Sequence, residues 1–163
     1  MKILYLHGLD SKLSVEKRSI LGNVGTVLAP DLNYYEDKNA IETILEMYEE
    51  DEIDVVIGSS MGGFAGYYVA NRLSCPALLF NPALKKRSVA QTVPLEKTQN
   101  SSMQQFVIGQ QDEVVNPTDT LAFLGGSFNL GTHFHLHLVP GLGHRIPEEI
   151  FNEEVTNFFD RLY

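Results

Sequence analysis

Short apolar runs, separated by polar stretches with helical spacing, recur from one end of the chain to the other. Lys2–Leu6, Asp54–Ile57, Ala77–Phe80 and Gln105–Ile108 are nearly continuous in apolar residues, the pattern of strands buried on both faces. Thr26–Ala29 reads as a shorter strand stopped by Pro30-Asp31, and His133–Val139 as a sixth. Between them lie weak helical spacing over Glu16–Leu21, with Ser14 as a cap, and a clearer stripe at Ile41, Ile44, Leu45 and Tyr48. Thr118–Leu124 predicts a short helix stopped by Gly125-Gly126. Pro147–Leu162 predicts a closing helix that turns Ile150, Phe151, Val155, Phe158 and Phe159 inward. Residues 83–103 have no strong period and leave room for one short helix and a loop. Strands alternating with helices imply one α/β domain over residues 1–163, its parallel sheet covered on both faces by right-handed crossovers. Functional residues then belong at the carboxyl ends of the strands.

The third strand breaks into Gly58-Ser59-Ser60-Met61-Gly62, and a helical pattern follows at once. Strand, Gly-x-Ser-x-Gly turn and helix together describe a nucleophile elbow, in which Ser60 stands clear of the sheet on a strained backbone. Such a turn needs small residues two positions either side, and Gly58 and Gly62 supply them. Gly62, Gly66 and Ala70 recur every fourth residue, so one helix face is bare enough to lie against the sheet. A phosphate-binding turn is the competing reading, but neither a Walker lysine nor Gly-x-Gly-x-x-Gly is present.

A chain of 163 residues with 44% hydrophobic and 20% charged residues fits one globular domain. Its net charge of −9 argues against nucleic acid or an anionic membrane as the partner. The acidic cluster Glu46, Glu49, Glu50, Asp51 and Glu52 reads as the solvated end of the second helix. The lone Cys75, before Pro76, reads as a packed residue at a strand entrance, and the Met1–Leu6 start is too short for a signal peptide. A cytoplasmic protein is the expectation. The basic run Lys85-Lys86-Arg87 is assigned to solvent rather than to an anionic substrate.

A serine hydroxyl needs a base, and that base an orienting acid. Asp112 lies in the loop after the fifth strand and His144 after the sixth, so Ser60, Asp112 and His144 come in the order this chemistry takes on such a fold. Glu113 competes with Asp112, but Val114 and Val115 suggest a segment turning back to pack, leaving Asp112 aimed at the site. His133, His135 and His137 alternate on one strand face opposite Phe134, Leu136 and Leu138. A solvated face explains them more simply than a metal, and no metal or other cofactor is expected. His7 ends the first strand, where it orders a loop. Backbone N–H groups of Leu9 and Met61 are the candidate oxyanion donors.

Several stretches in order, Leu4-Tyr5-Leu6-His7-Gly8 with Ser11, Gly58–Gly63, Asn81-Pro82-Ala83, Asp112-Glu113-Val114 and Gly143-His144, resemble the α/β-hydrolase superfamily and, within it, small bacterial esterases of the YqiA type. The resemblance implies a minimal three-layer α/β-hydrolase fold with six parallel strands in the order 2-1-3-4-5-6. It also implies ester hydrolysis through an acyl-enzyme, with Ser60, Asp112 and His144 as triad. The segment at about 83–103 looks short against that family, so any lid is small. The expected substrate is a small or short-acyl ester. A thioesterase or acyltransferase with the same triad, or a hydrolase-fold binding module without turnover, stays open.

Overall fold

The computed structural model describes residues 1–94, 100–129 and 131–163. In chain order the elements are β1 (Lys2–Leu6), α1 (Val15–Gly22), β2 (Thr26–Leu28), α2 (Ala40–Met47), β3 (Val55–Ser59), α3 (Met61–Leu73), β4 (Ala77–Phe80), β5 (Gln104–Gly109), α4 (Pro117–Ser127), β6 (Phe134–Val139) and α5 (Glu148–Leu162). The strands form one parallel sheet in the order β2-β1-β3-β4-β5-β6. Every residue of β4 and β5 is buried, which is why those runs show no alternation.

Two cores sandwich the sheet. On one face Leu4, Leu6, Val56, Leu79 and Phe106 pack against α2 and α3. On the other Ile3, Tyr5, Ile57, Phe80 and Val107 meet Phe151, Val155 and Phe158 of α5. Helix α3 sits close because its sheet-facing positions are small. A Cβ at Gly62 would lie 2.0 Å from the Leu6 carbonyl oxygen, and one at Gly66 3.0 Å from a Leu79 methyl. At α1, Ser14 accepts the Lys17 N–H at 3.2 Å.

Three expectations about the elements need correction. Helix α4 runs through Gly125 and Gly126 to Ser127, because its Asn116 cap and Pro117 start outweigh the glycines. The described parts of 83–103 hold no helix. Finally, the histidine face of β6 is solvated only in part: His133 and His137 are exposed, but His137 also meets α5. The inward stripe of α5 buries Glu154, and a buried carboxylate needs partners. Gln105 donates to it at 2.8 Å, and His137 Nδ1 hydrogen-bonds its other oxygen. Leu136 and Leu138, across the strand, are exposed as well, at 50% and 39%, on this edge strand.

No three His, Cys, Asp or Glu side chains gather to hold a metal among the described residues. Nor is any helix among them long and apolar enough to cross a membrane. Cys75 is buried beside the start of β4, and burial pushes its thiol up to about 12. Lys85 and Lys86 face solvent, their side chains 48% and 80% exposed, and from there both pair with Asp119, at 3.2 and 2.9 Å, and hold its carboxyl below the usual range. Arg87 donates to the Ala83 and Leu84 carbonyls and lies 4.1 Å over the Phe64 ring.

Candidate active site

Strand β3 ends at Ser59, and Ser60 turns the chain into α3 with φ 56° and ψ −114°. A left-handed φ at a residue with a side chain is strained and survives only where neighbours over-determine it. Here they do. The Ser60 N–H donates to the Phe80 carbonyl at 2.9 Å, and its carbonyl accepts from Phe64 and Ala83 N–H groups at 3.0 and 3.1 Å. Gly58 must be glycine, because a Cβ there would sit 2.3 Å from the Gly62 carbonyl oxygen. Met61 is the first helical residue, so its N–H is one that the helix leaves unpaired.

The loop after β1 closes over this turn. A Cβ on Gly8 would stand 3.2 Å from Ser60 Cβ. His7 is buried, and its Nε2 accepts the Leu32 N–H at 2.9 Å. That bond assigns the remaining proton to Nδ1, which donates to the Gly8 carbonyl at 2.6 Å. Ser11 Oγ donates to the same carbonyl at 3.1 Å. Carbonyl and N–H point opposite ways across a trans peptide, so these two bonds fix the direction of the Leu9 N–H.

Beyond the other side of Ser60 lie the loops after β5 and β6. His144 Nδ1 donates to Asp112, at 2.9 Å to Oδ2 and 3.1 Å to Oδ1. The Asp112 carboxylate is buried, and its Oδ1 also accepts the Val114 and Val115 N–H groups at 2.8 Å each. Glu113 is exposed and makes no such contact; Val114, expected to pack, is 70% exposed, because its N–H rather than its side chain carries the turn. With Nδ1 as donor, His144 Nε2 keeps a free lone pair. The Ser60 hydroxyl is not hydrogen-bonded to that imidazole in this state.

Reading motifs in sequence left one residue without a role. Asn81 ends β4 at φ 42° and is buried. Its Nδ2 donates to the Gly143 and His144 carbonyls at 2.9 and 3.2 Å, and its Oδ1 accepts the Gly109 N–H at 2.7 Å. Since the Phe80 carbonyl just before it holds Ser60 N–H, Asn81 ties the His144 loop to the strand end that anchors the serine. Its one signal in sequence was an asparagine before a proline at a strand end.

Between the loops after β1 and β2 opens a cavity of about 540 Å³, with Leu9, Asp10, Lys12, Asp31, Asn33 and Tyr35 on its walls. The segment expected to act as a lid borders this side. Gln91 donates to the Tyr34 and Asp37 carbonyls at 2.9 Å each, while residues 95–99 lie outside the described residues.

Six parallel strands in this order, helices on both faces and a strained serine after β3 define an α/β-hydrolase fold. The chain belongs to the uncharacterised protein family UPF0227, the YqiA family, whose profile matches residues 2–118. Solved structures of the same fold include SOBER1 from Arabidopsis thaliana, with a TM-score of 0.72 and 16% identity over 100% of this chain and 99% of that one. Est1E from Butyrivibrio proteoclasticus gives 0.74 and 18% over 98% and 87%. A thermophilic esterase from Thermogutta terrifontis gives 0.73 and 13% over 99% and 90%. Identities this low establish fold alone. A comparison with curated protein sequences yields no match.

Proposed function

We propose that this chain is a serine esterase acting on carboxylic esters of small molecules, with short acyl groups preferred. One observation carries the reading: a histidine oriented by a buried aspartate, on a loop bonded by Asn81 to the strand end that holds a strained serine. Two of the structures sharing the fold, PE8 and the Thermogutta terrifontis protein, are described as esterases, which supports the same class.

His144 Nε2 accepts the Ser60 proton as Oγ attacks the ester carbonyl, and Asp112 stabilises the imidazolium that forms. Negative charge builds on the carbonyl oxygen, where Leu9 and Met61 N–H groups, fixed in advance, stabilise it without reorganising. Collapse expels the alcohol, which takes the proton from His144 and leaves the acyl group on Ser60. Water, activated by the same imidazole, then releases the acid. In a short lid the acyl group finds little apolar cover, which favours short chains.

The test is hydrolysis of p-nitrophenyl acetate and butyrate by wild type and Ser60→Ala. A loss of at least ~10³-fold is expected, because triad members act as a unit. Fluorophosphonate labelling, traced by mass spectrometry to Ser60, is expected alongside it. Equal turnover in the two proteins refutes the reading.

A further inference from the structure

The cavity beside the β1 loop is part of no step above, yet Leu9, the proposed oxyanion donor, lies on its wall. Four bonds tie its two loops together. Lys12 Nζ meets Asp31 at 2.5 Å, Tyr35 Oη donates to Asp10 at 2.8 Å, Tyr34 Oη donates to the His7 carbonyl at 3.1 Å, and Leu32 N–H donates to His7 Nε2 at 2.9 Å. The space is therefore built before any ligand arrives, and a built site spends little affinity on ordering itself.

Its chemistry is mixed in a specific way. Each carboxylate offers about four lone-pair directions, so Asp10 and Asp31 keep acceptors to spare after one bond each. Lys12 has donors beyond the one given to Asp31, and Asn33 spends its Oδ1 on the Tyr35 and Glu36 N–H groups while its amide NH₂ is uncommitted. Tyr35 adds a large aromatic side chain, 56% exposed. An alkyl chain lying here would strip water from these groups and return no hydrogen bond. Two carboxylates against one lysine disfavour an anion, and the lysine in turn disfavours a simple cation. A neutral polyhydroxylated group satisfies donors and acceptors together and lays its C–H face on an aromatic ring.

We propose that this cavity binds the polyhydroxylated, sugar-like part of the substrate, making the natural substrate class O-acylated carbohydrates or related polyols. The proposal rests on the esterase reading for its turnover but not for its binding. About 540 Å³ accommodates one or two sugar rings, within the usual range of ligand clefts.

The experiment has a kinetic arm and a binding arm. The first compares kcat/KM for 6-O-acetylglucose with that for cyclohexylmethyl acetate, a ring of similar size without hydroxyls. Wild type is expected to favour the sugar ester at least about tenfold, the worth of one well-made hydrogen bond. In Tyr35→Ala and in Asn33→Ala that ratio is expected to fall towards one, whatever happens to either rate alone. A wild-type ratio near one, or a ratio untouched by both variants, overturns the proposal. The second arm uses saturation-transfer NMR of methyl β-glucoside on Ser60→Ala. Transfer that is lost when Tyr35→Ala is added supports the cavity, and absence of transfer overturns it. Should p-nitrophenyl acetate show no turnover by wild type, the esterase reading falls while the NMR arm still decides the cavity.

Discussion

A single peptide plane, the one joining Gly8 to Leu9, receives two side-chain hydrogen bonds on its carbonyl, from His7 Nδ1 and Ser11 Oγ. If Leu9 N–H is an oxyanion donor, these side chains act through it as positioning groups. Ser11→Ala is then expected to lower kcat several-fold, up to ~10-fold, with KM little changed, because the donor matters only as charge develops. A change confined to KM contradicts that role. Asn81→Ala removes three hydrogen bonds, one buried and two part-buried, and puts alanine at a left-handed φ that asparagine tolerates better. Urea unfolding is expected to show a loss of about 2–4 kcal/mol. Hydrolysis of p-nitrophenyl acetate is expected to fall ~10²-fold in kcat/KM as the His144 loop drifts. The two residues show what sequence does and does not expose. Ser60 was readable because strand, glycines and helix surround it within a dozen positions. Asn81 was not, because its partners Gly109, Gly143 and His144 are 28 to 63 positions away and only the folded sheet collects them.

Elements differ in how plainly they announce themselves. The stripe of α5 could be read directly, since Phe151, Val155, Phe158 and Phe159 repeat at helical spacing and all four are buried. The alternation of β6 was also visible, but its orientation was not, because Glu154 sits on the buried side of α5 and draws His137 to it. His135, on the same face, is held below its ordinary 6.5 by burial first, then by Arg161 and His133. The unfolded chain therefore takes up a proton on His135 at a higher pH than the fold does, and stability contributed by the neutral ring is lost as pH falls through the unfolded value. His135→Gln is expected to lose less stability than wild type between pH 7.5 and 5.5, measured as the change in urea midpoint. The His137–Glu154 pair is present in both proteins, whereas His133, its ring 5.4 Å from that of His135, is coupled to the substituted residue, so the difference reports His135 together with that coupling. Equal pH slopes would remove His135 from the account.

At the scale of the molecule, the site straddles the place where strand order reverses, with β1 and its loop on one side of Ser60 and β4, β5 and β6 on the other. Such a switch point leaves a crevice because successive connections leave in opposite directions. The two halves must then be held in register over long distances. One strut is Lys17 of α1, whose Nζ donates to the Ile146 carbonyl at 2.8 Å, next to the His144 loop, and lies 5.1 Å over the Phe151 ring. Burial holds the Lys17 ammonium below its usual range, and Glu148 only partly opposes that. The charged form is thus penalised in the fold, which offsets what its contacts give. Lys17→Met keeps the stem packing and removes both the charge and the bond. Stability at pH 7 is expected to stay within about 1 kcal/mol of wild type. Hydrolysis, by contrast, is expected to fall several-fold in kcat/KM as the His144 loop loses its distant anchor. Wild type should also gain stability relative to Lys17→Met as pH rises through the lowered lysine value, because the unfolded chain holds that proton longer. A variant that loses stability and activity in proportion would make Lys17 a packing residue and nothing more, whereas a split between the two readouts identifies it as the brace across the crevice.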